Sequence, residues 1–137
     1  MWAAVDCASG SSVARSAEAA AQAKLSRFGT SMAFADAALC KSIGAADLGD
    51  AFRSPVTSNV PTLFISGTLD GQTPPHQAEA IRWGFTRGVH LIVENAGHES
   101  TLPTLAVRAA IAKFARGELV QSQFIQIPLP TFRGPGR

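Results

Sequence analysis

Asp70 and His98 are the residues of this chain whose types and placement point to chemistry, each following a short apolar run. A carboxylate on one imidazole nitrogen fixes the tautomer and stabilises the imidazolium. The other ring nitrogen is then available as a general base. Such a pair supplies two of the three members of a nucleophile–base–acid triad. It works only if the fold brings the acid and the imidazole together.

The elements that must do this lie in residues 60–100, VPTLFISGTLDGQTPPHQAEAIRWGFTRGVHLIVENAGHES. Residues 60–66 form an apolar run with Val60, Leu63, Phe64 and Ile65, ending at Gly67. The pattern fits a strand buried on both faces of a parallel sheet. Asp70 follows in a Gly/Thr/Gly turn. Thr73 then reads as the N-cap of a helix with Pro74 at its first position, where a missing N–H costs nothing. Ala78, Ile81 and Phe85 give that helix an inward stripe, and Gly88 stands just past its end. A second apolar run, 89–93, leads into Asn95-Ala96-Gly97-His98. The right-handed crossover of a βαβ unit makes both strands parallel, so their carboxyl ends share one edge of the sheet. Ligands and catalytic groups gather at that edge in open α/β sheets.

The stretch P-T-L-F-I-S-G-T-L-D-G-Q-T-P-P and the E-N-A-G-H-E turn resemble the C-terminal portion of α/β-hydrolases of the tripeptidyl-aminopeptidase and proline-iminopeptidase type, the TAP-like domain. The resemblance implies that Asp70 is the acid and His98 the base of a Ser-Asp-His triad. Their order agrees with the order of that fold, Ser, then Asp, then His. It also implies the fold class: α/β, the C-terminal part of an α/β-hydrolase, with few parallel strands, flanking helices and an incomplete sheet. The implied substrate is a peptide or a small ester or amide, with no cofactor. The implied partner is the missing N-terminal half of the hydrolase.

The composition sets bounds on the rest. A chain of 137 residues can form one domain, but an α/β-hydrolase typically needs about twice that length. Hydrophobic content of 46% with 16% charged residues describes a core-forming segment. The net charge is +2 with no dense basic cluster, which argues against nucleic acid as a partner. No apolar run approaches the roughly 20 residues of a membrane-spanning helix, so no membrane partner is read. Residues 1–7 lack a cationic n-region and a long apolar h-region, so no signal peptide is read there.

Three segments are expected: a helical lid or approach over 1–53, the α/β-hydrolase core over 54–117, and an extended tail over 118–137. In the first, Ser11 or Ser12 caps a helix reaching about Phe28, with Ala17, Ala21, Leu25 and Phe28 as a weak inward stripe. Residues 32–39 form a short helix or an irregular connection. Leu48 and Phe52 are the expected anchors of a connector over 47–60. In the core, a helix opens at Leu102-Pro103, carries the stripe Val107, Ala110, Ile111 and Phe114, and stops at Gly117.

Cys7 and Cys40 have two readings on chemistry alone. They are small buried hydrophobes with free thiols, or a disulfide belonging to an oxidising compartment. The first third also resembles the approach region of the same peptidase group, which has an A-x-x-C segment and a later F-G…C segment. That resemblance favours the disulfide and implies a secreted or cell-envelope location. Where that group has an aromatic shortly after the second cysteine, this chain has Lys41-Ser42-Ile43. Neither cysteine has a second Cys or His at zinc-ligand spacing.

The nucleophile is the member not found. Gly29-Thr30-Ser31-Met32-Ala33 fits a loose G-x-S-x-[G/A] pattern, which makes Ser31 the formal candidate. A nucleophile elbow needs an apolar strand leading in, and a charged, helical stretch precedes Gly29 instead. Ser31 therefore reads as a polar turn residue. His76 falls in a first helical turn and His90 opens a strand, and both read as structural. A metal set of Asp70, His98 and Glu99 lacks paired-His spacing. The leading function is thus the C-terminal segment of a serine hydrolase, aminopeptidase-like, which brings acid and base without the serine. The alternatives are a non-catalytic remnant or binding module, and a minimal esterase using Ser31.

Overall fold

The two apolar runs pair as parallel strands, β1 (Thr62–Gly67) and β2 (Gly88–Glu94), with Thr62 opposite Gly88 and Gly67 opposite Val93. The computed structural model describes residues 2–29, 37–131 and 134. The chain divides into two units, Met1–Ser54 and Pro55–Arg137.

The first unit is helical: α1 (Trp2–Ser9), α2 (Val13–Ala23), α3 (Ala37–Ile43) and α4 (Gly49–Arg53). The Ser12 hydroxyl caps α2 by accepting from the Arg15 N–H. Cys7, buried on α1, is joined to Cys40 on α3 by a disulfide with Cα atoms 5.3 Å apart. A loop of this length, 33 residues in separation, is stabilised by about 3–4 kcal/mol in the chain-entropy model. Arg53 closes the unit from its other end. Its guanidinium donates to the Ser9 carbonyl at 2.9 Å and to the Asp47 and Asp50 carboxylates. Two expectations are corrected here. α2 ends at Ala23 and buries no residue, and Leu25 and Phe28 are exposed, so the predicted stripe is not an inward-facing one. Leu48 and Phe52 are exposed as well; Arg53, through its hydrogen bonds, anchors the connector in their place.

The second unit is a three-stranded parallel sheet in the order β1-β2-β3, with helices α5 (Pro75–Arg82) and α6 (Leu105–Ala115). The expected tail supplies β3 (Gln123–Gln126), parallel to β2 with Leu91 opposite Gln123. Alternation along the strands separates two faces. One is apolar: Val93, Ala96 and Val107 are fully buried, with Ile65, Ile111, Ile125 and Ile127 packed around them. The other carries Phe64, Ser66 and His90. Phe64 meets Phe85 edge to face, and α5 reaches this face through Glu79.

α5 starts one residue later than expected, with Pro74 as N-cap and Pro75 at the first position. The Thr73 side chain, the predicted cap, is engaged elsewhere. α5 also stops at Arg82, and Ile81 is exposed. α6 begins at Leu105 with Thr104 as N-cap, later than Pro103. Gly117, with φ +74°, ends it in the left-handed conformation that favours glycine.

Candidate functional site

The loops after β1 and β2 are stitched together at the carboxyl edge of the sheet. Thr68 N–H donates to the Val93 carbonyl at 3.1 Å, and Leu69 N–H donates to the Ala96 carbonyl at 2.9 Å. Asn95 N–H returns a bond to the Thr68 hydroxyl at 2.9 Å. Asn95 has φ +68°, the left-handed region that Asn tolerates better than most residues. Its amide donates to the Ile127 carbonyl at 2.7 Å, which fastens the chain beyond β3 to the histidine turn. Gly67 is the point of closest approach: a Cβ there would overlap the Ala96 carbonyl. Together these contacts bring the turn of Asp70 against the turn of His98.

Asp70 and His98 meet there. His98 Nδ1 lies 2.9 Å from Asp70 Oδ2. Asp70 is 7% exposed, and its buried carboxylate is surrounded by donors. Oδ1 accepts the backbone N–H groups of Gln72 at 2.8 Å and Thr73 at 2.9 Å. Oδ2 accepts the Thr73 hydroxyl at 2.7 Å. The Thr73 N–H is the largest influence holding the Asp70 carboxyl far below the usual carboxylate range. The Thr73 hydroxyl, His98 and the Gln72 N–H add to it against the opposing effect of burial. Asp70 is therefore ionised and has no proton to give, which favours the neutral tautomer of His98 with its proton on Nδ1. Nε2 then carries the lone pair. The His98 side chain is 47% exposed, and Nε2 has no hydrogen-bond partner among the described residues. The arrangement can accept a proton at Nε2 and stabilise the resulting imidazolium.

The other sequence candidates lie apart from this pair. Glu99 is exposed and outside the pair's hydrogen bonds, and His76 is exposed in the first turn of α5. Ser31 lies outside the described residues. His90 is buried on the α5 face, with Nδ1 2.9 Å from Glu79 Oε2 and Nε2 3.0 Å from Ser66 Oγ. Arg82 first, then His90, draws the Glu79 carboxyl down to about 2. This carboxylate–imidazole–hydroxyl chain has the connectivity of a triad without the access. Ser66 is 4% exposed, and the adjoining cavity of about 230 Å³ is lined by His90, Glu79 and Arg82 but not by Ser66. It holds α5 to the sheet.

Sequence reasoning missed this network and the part played by Thr73. Thr73 had a local signal: an Asp three residues before a Thr can fold into a turn in which the carboxylate collects the following N–H groups. Glu79 and Ser66 had none, because they meet His90 only through the crossover.

A family model described as TAP-like protein, of the α/β-hydrolases, matches residues 23–121, a span that includes Cys40, Asp70 and His98. No match was found among curated proteins or solved structures.

Proposed function

Because this chain belongs to the TAP-like family of α/β-hydrolases, we propose that Asp70 and His98 are the acid and base of a Ser-Asp-His triad in a peptidase releasing N-terminal residues or short peptides. One observation carries the reading: the 2.9 Å contact between Asp70 Oδ2 and His98 Nδ1, with Nε2 left unpartnered at the strand edge. In this reading Nε2 takes the proton of a serine hydroxyl as the serine oxygen attacks the scissile carbonyl carbon. Asp70 steadies the imidazolium. The tetrahedral intermediate collapses, the C–N bond breaks, and His98 returns the proton to the leaving amine. Water then repeats the sequence on the acyl-enzyme.

The serine belongs to chain outside these 137 residues, in the N-terminal half of the hydrolase. The Cys7–Cys40 disulfide supports an oxidising location, secreted or at the cell envelope. The test is hydrolysis of N-terminally unblocked peptide anilides by the protein that carries this segment together with its upstream strands. His98→Gln is expected to lower kcat by about 10⁶-fold and Asp70→Asn by about 10⁴-fold, as loss of the base and of the acid of a triad does. Activity within a few-fold of wild type in either variant would remove that residue from the catalytic machinery.

A further inference from the structure

Thr73 Oγ1, Asp70 Oδ2 and His98 Nδ1 form a closed triangle. The hydroxyl is 2.7 Å from the carboxylate oxygen and 3.3 Å from the imidazole nitrogen, and the nitrogen is 2.9 Å from the same oxygen. One arrangement of protons satisfies all three contacts. If Thr73 gave its proton to Nδ1, Oδ2 would face two lone pairs at hydrogen-bond distance with no proton between. With the hydroxyl proton on Oδ2, Nδ1 must carry its own, and the threonine oxygen becomes a second, longer acceptor for it.

We infer that Thr73 is a positioning residue for the acid–base pair, its hydroxyl locking His98 in the tautomer with the proton on Nδ1 and the lone pair on Nε2. The inference rests on the triad reading of Asp70 and His98. It also explains why α5 starts at Pro75 with Pro74 as its cap. Thr73 gives up the capping of that helix, and Pro75 at the first helical position has no N–H to satisfy. The backbone N–H of Thr73 holds Oδ1 whatever the side chain is, so the hydroxyl can be removed while the turn is kept.

The test is made on the full chain with ¹⁵N-labelled histidine, using two-bond ¹H–¹⁵N correlations near neutral pH. These show which ring nitrogen carries the proton. The chain has three histidines, and His98→Gln assigns the His98 signals. Wild type is expected to show His98 protonated on Nδ1 alone. Thr73→Val, nearly equal in volume, is expected to shift His98 to a mixture of tautomers while the buried His90 pattern stays unchanged, reporting an intact fold. Thr73→Ser keeps the hydroxyl and is expected to restore the single tautomer.

A wild-type His98 protonated on Nε2 would overturn the inference. So would an unmixed Nδ1–H signal in Thr73→Val, or a mixed one in a folded Thr73→Ser. Asp70→Asn separates this from the underlying reading. If it leaves the His98 tautomer untouched, the pair itself is not coupled and the triad reading fails first. If it changes the tautomer and Thr73→Val does not, the hydroxyl alone is excluded.

Discussion

Asp70 is a buried carboxylate with four donors aimed at it, and this sets how it responds to acid. Its folded carboxyl ionises well below the ordinary value of 3.8. A carboxyl depressed on folding contributes stability that is fully present above the unfolded value. That contribution is lost as pH falls through the folded one. Stability from Asp70 should therefore be intact at neutral pH and begin to fall below about pH 4. Asp70→Asn is expected to lower the melting temperature at neutral pH and to flatten the acid limb. Thermal melts across the acid range check this, and parallel pH profiles for wild type and variant would count against it. Ser31 gives a second prediction at this scale. The isolated chain should show no serine-hydrolase turnover above background, because His98 Nε2 meets no hydroxyl among the described residues. Turnover that vanishes in Ser31→Ala would promote the minimal-esterase reading.

At the scale of elements, the site depends on how tightly the β1 turn closes on the β2 turn. Gly67 ends β1 where no side chain fits, because a Cβ would run into the backbone carbonyl of Ala96, two residues before His98. Backbone cannot yield as a flexible side chain can. Gly67→Ala is expected to destabilise by about 1–3 kcal/mol, as other forced overpacking does, and to separate the two turns. Urea denaturation measures the first effect. The second appears in the His98 ring signals, which should lose the signature of a bonded Nδ1–H. A variant as stable as wild type with His98 unchanged would show that the turns have room to spare. On the opposite face, His90 ties α5 to the sheet through Glu79 and Ser66. That polar contact stands where a more apolar α5 would have packed.

At the scale of the molecule, the sheet is short and open. The outer edge of β1 has no strand beside it among the described residues, and only β2 is paired on both sides. Leu91, Val93 and Val107 are the largest side chains fully buried. Three short parallel strands offer little burial against an ordering cost of about 1–2 kcal/mol per residue for the backbone. An unpaired edge also invites another chain. The isolated 137-residue chain is expected to be marginally stable and to associate, which sedimentation and thermal denaturation measure. A sharp cooperative melt from a clean monomer would show that the segment sustains itself.

The sequence by itself determined the βαβ unit, the turns holding Asp70 and His98, and the common edge at which they emerge. Each follows from local rules: apolar runs of strand length, proline and glycine at helix ends, and the fixed hand of the crossover. It also placed the stop of α6 at Gly117, where a left-handed residue was needed. The tertiary structure decided what has no local signature. Thr73 looked like a helix cap because it precedes two prolines, yet its hydroxyl is held by a carboxylate and an imidazole that the fold brings to it. The tail looked like a loose strap because its four strand residues, Gln-Phe-Ile-Gln, are mostly exposed and weakly patterned; their pairing with β2 comes from the long return through α6. Glu79 and Ser66 were unremarked and His90 read only as a structural residue opening a strand, until the α5 face brought the three together. Periodicity and capping act over a few neighbouring residues, and partners from separate elements are chosen only when those elements pack.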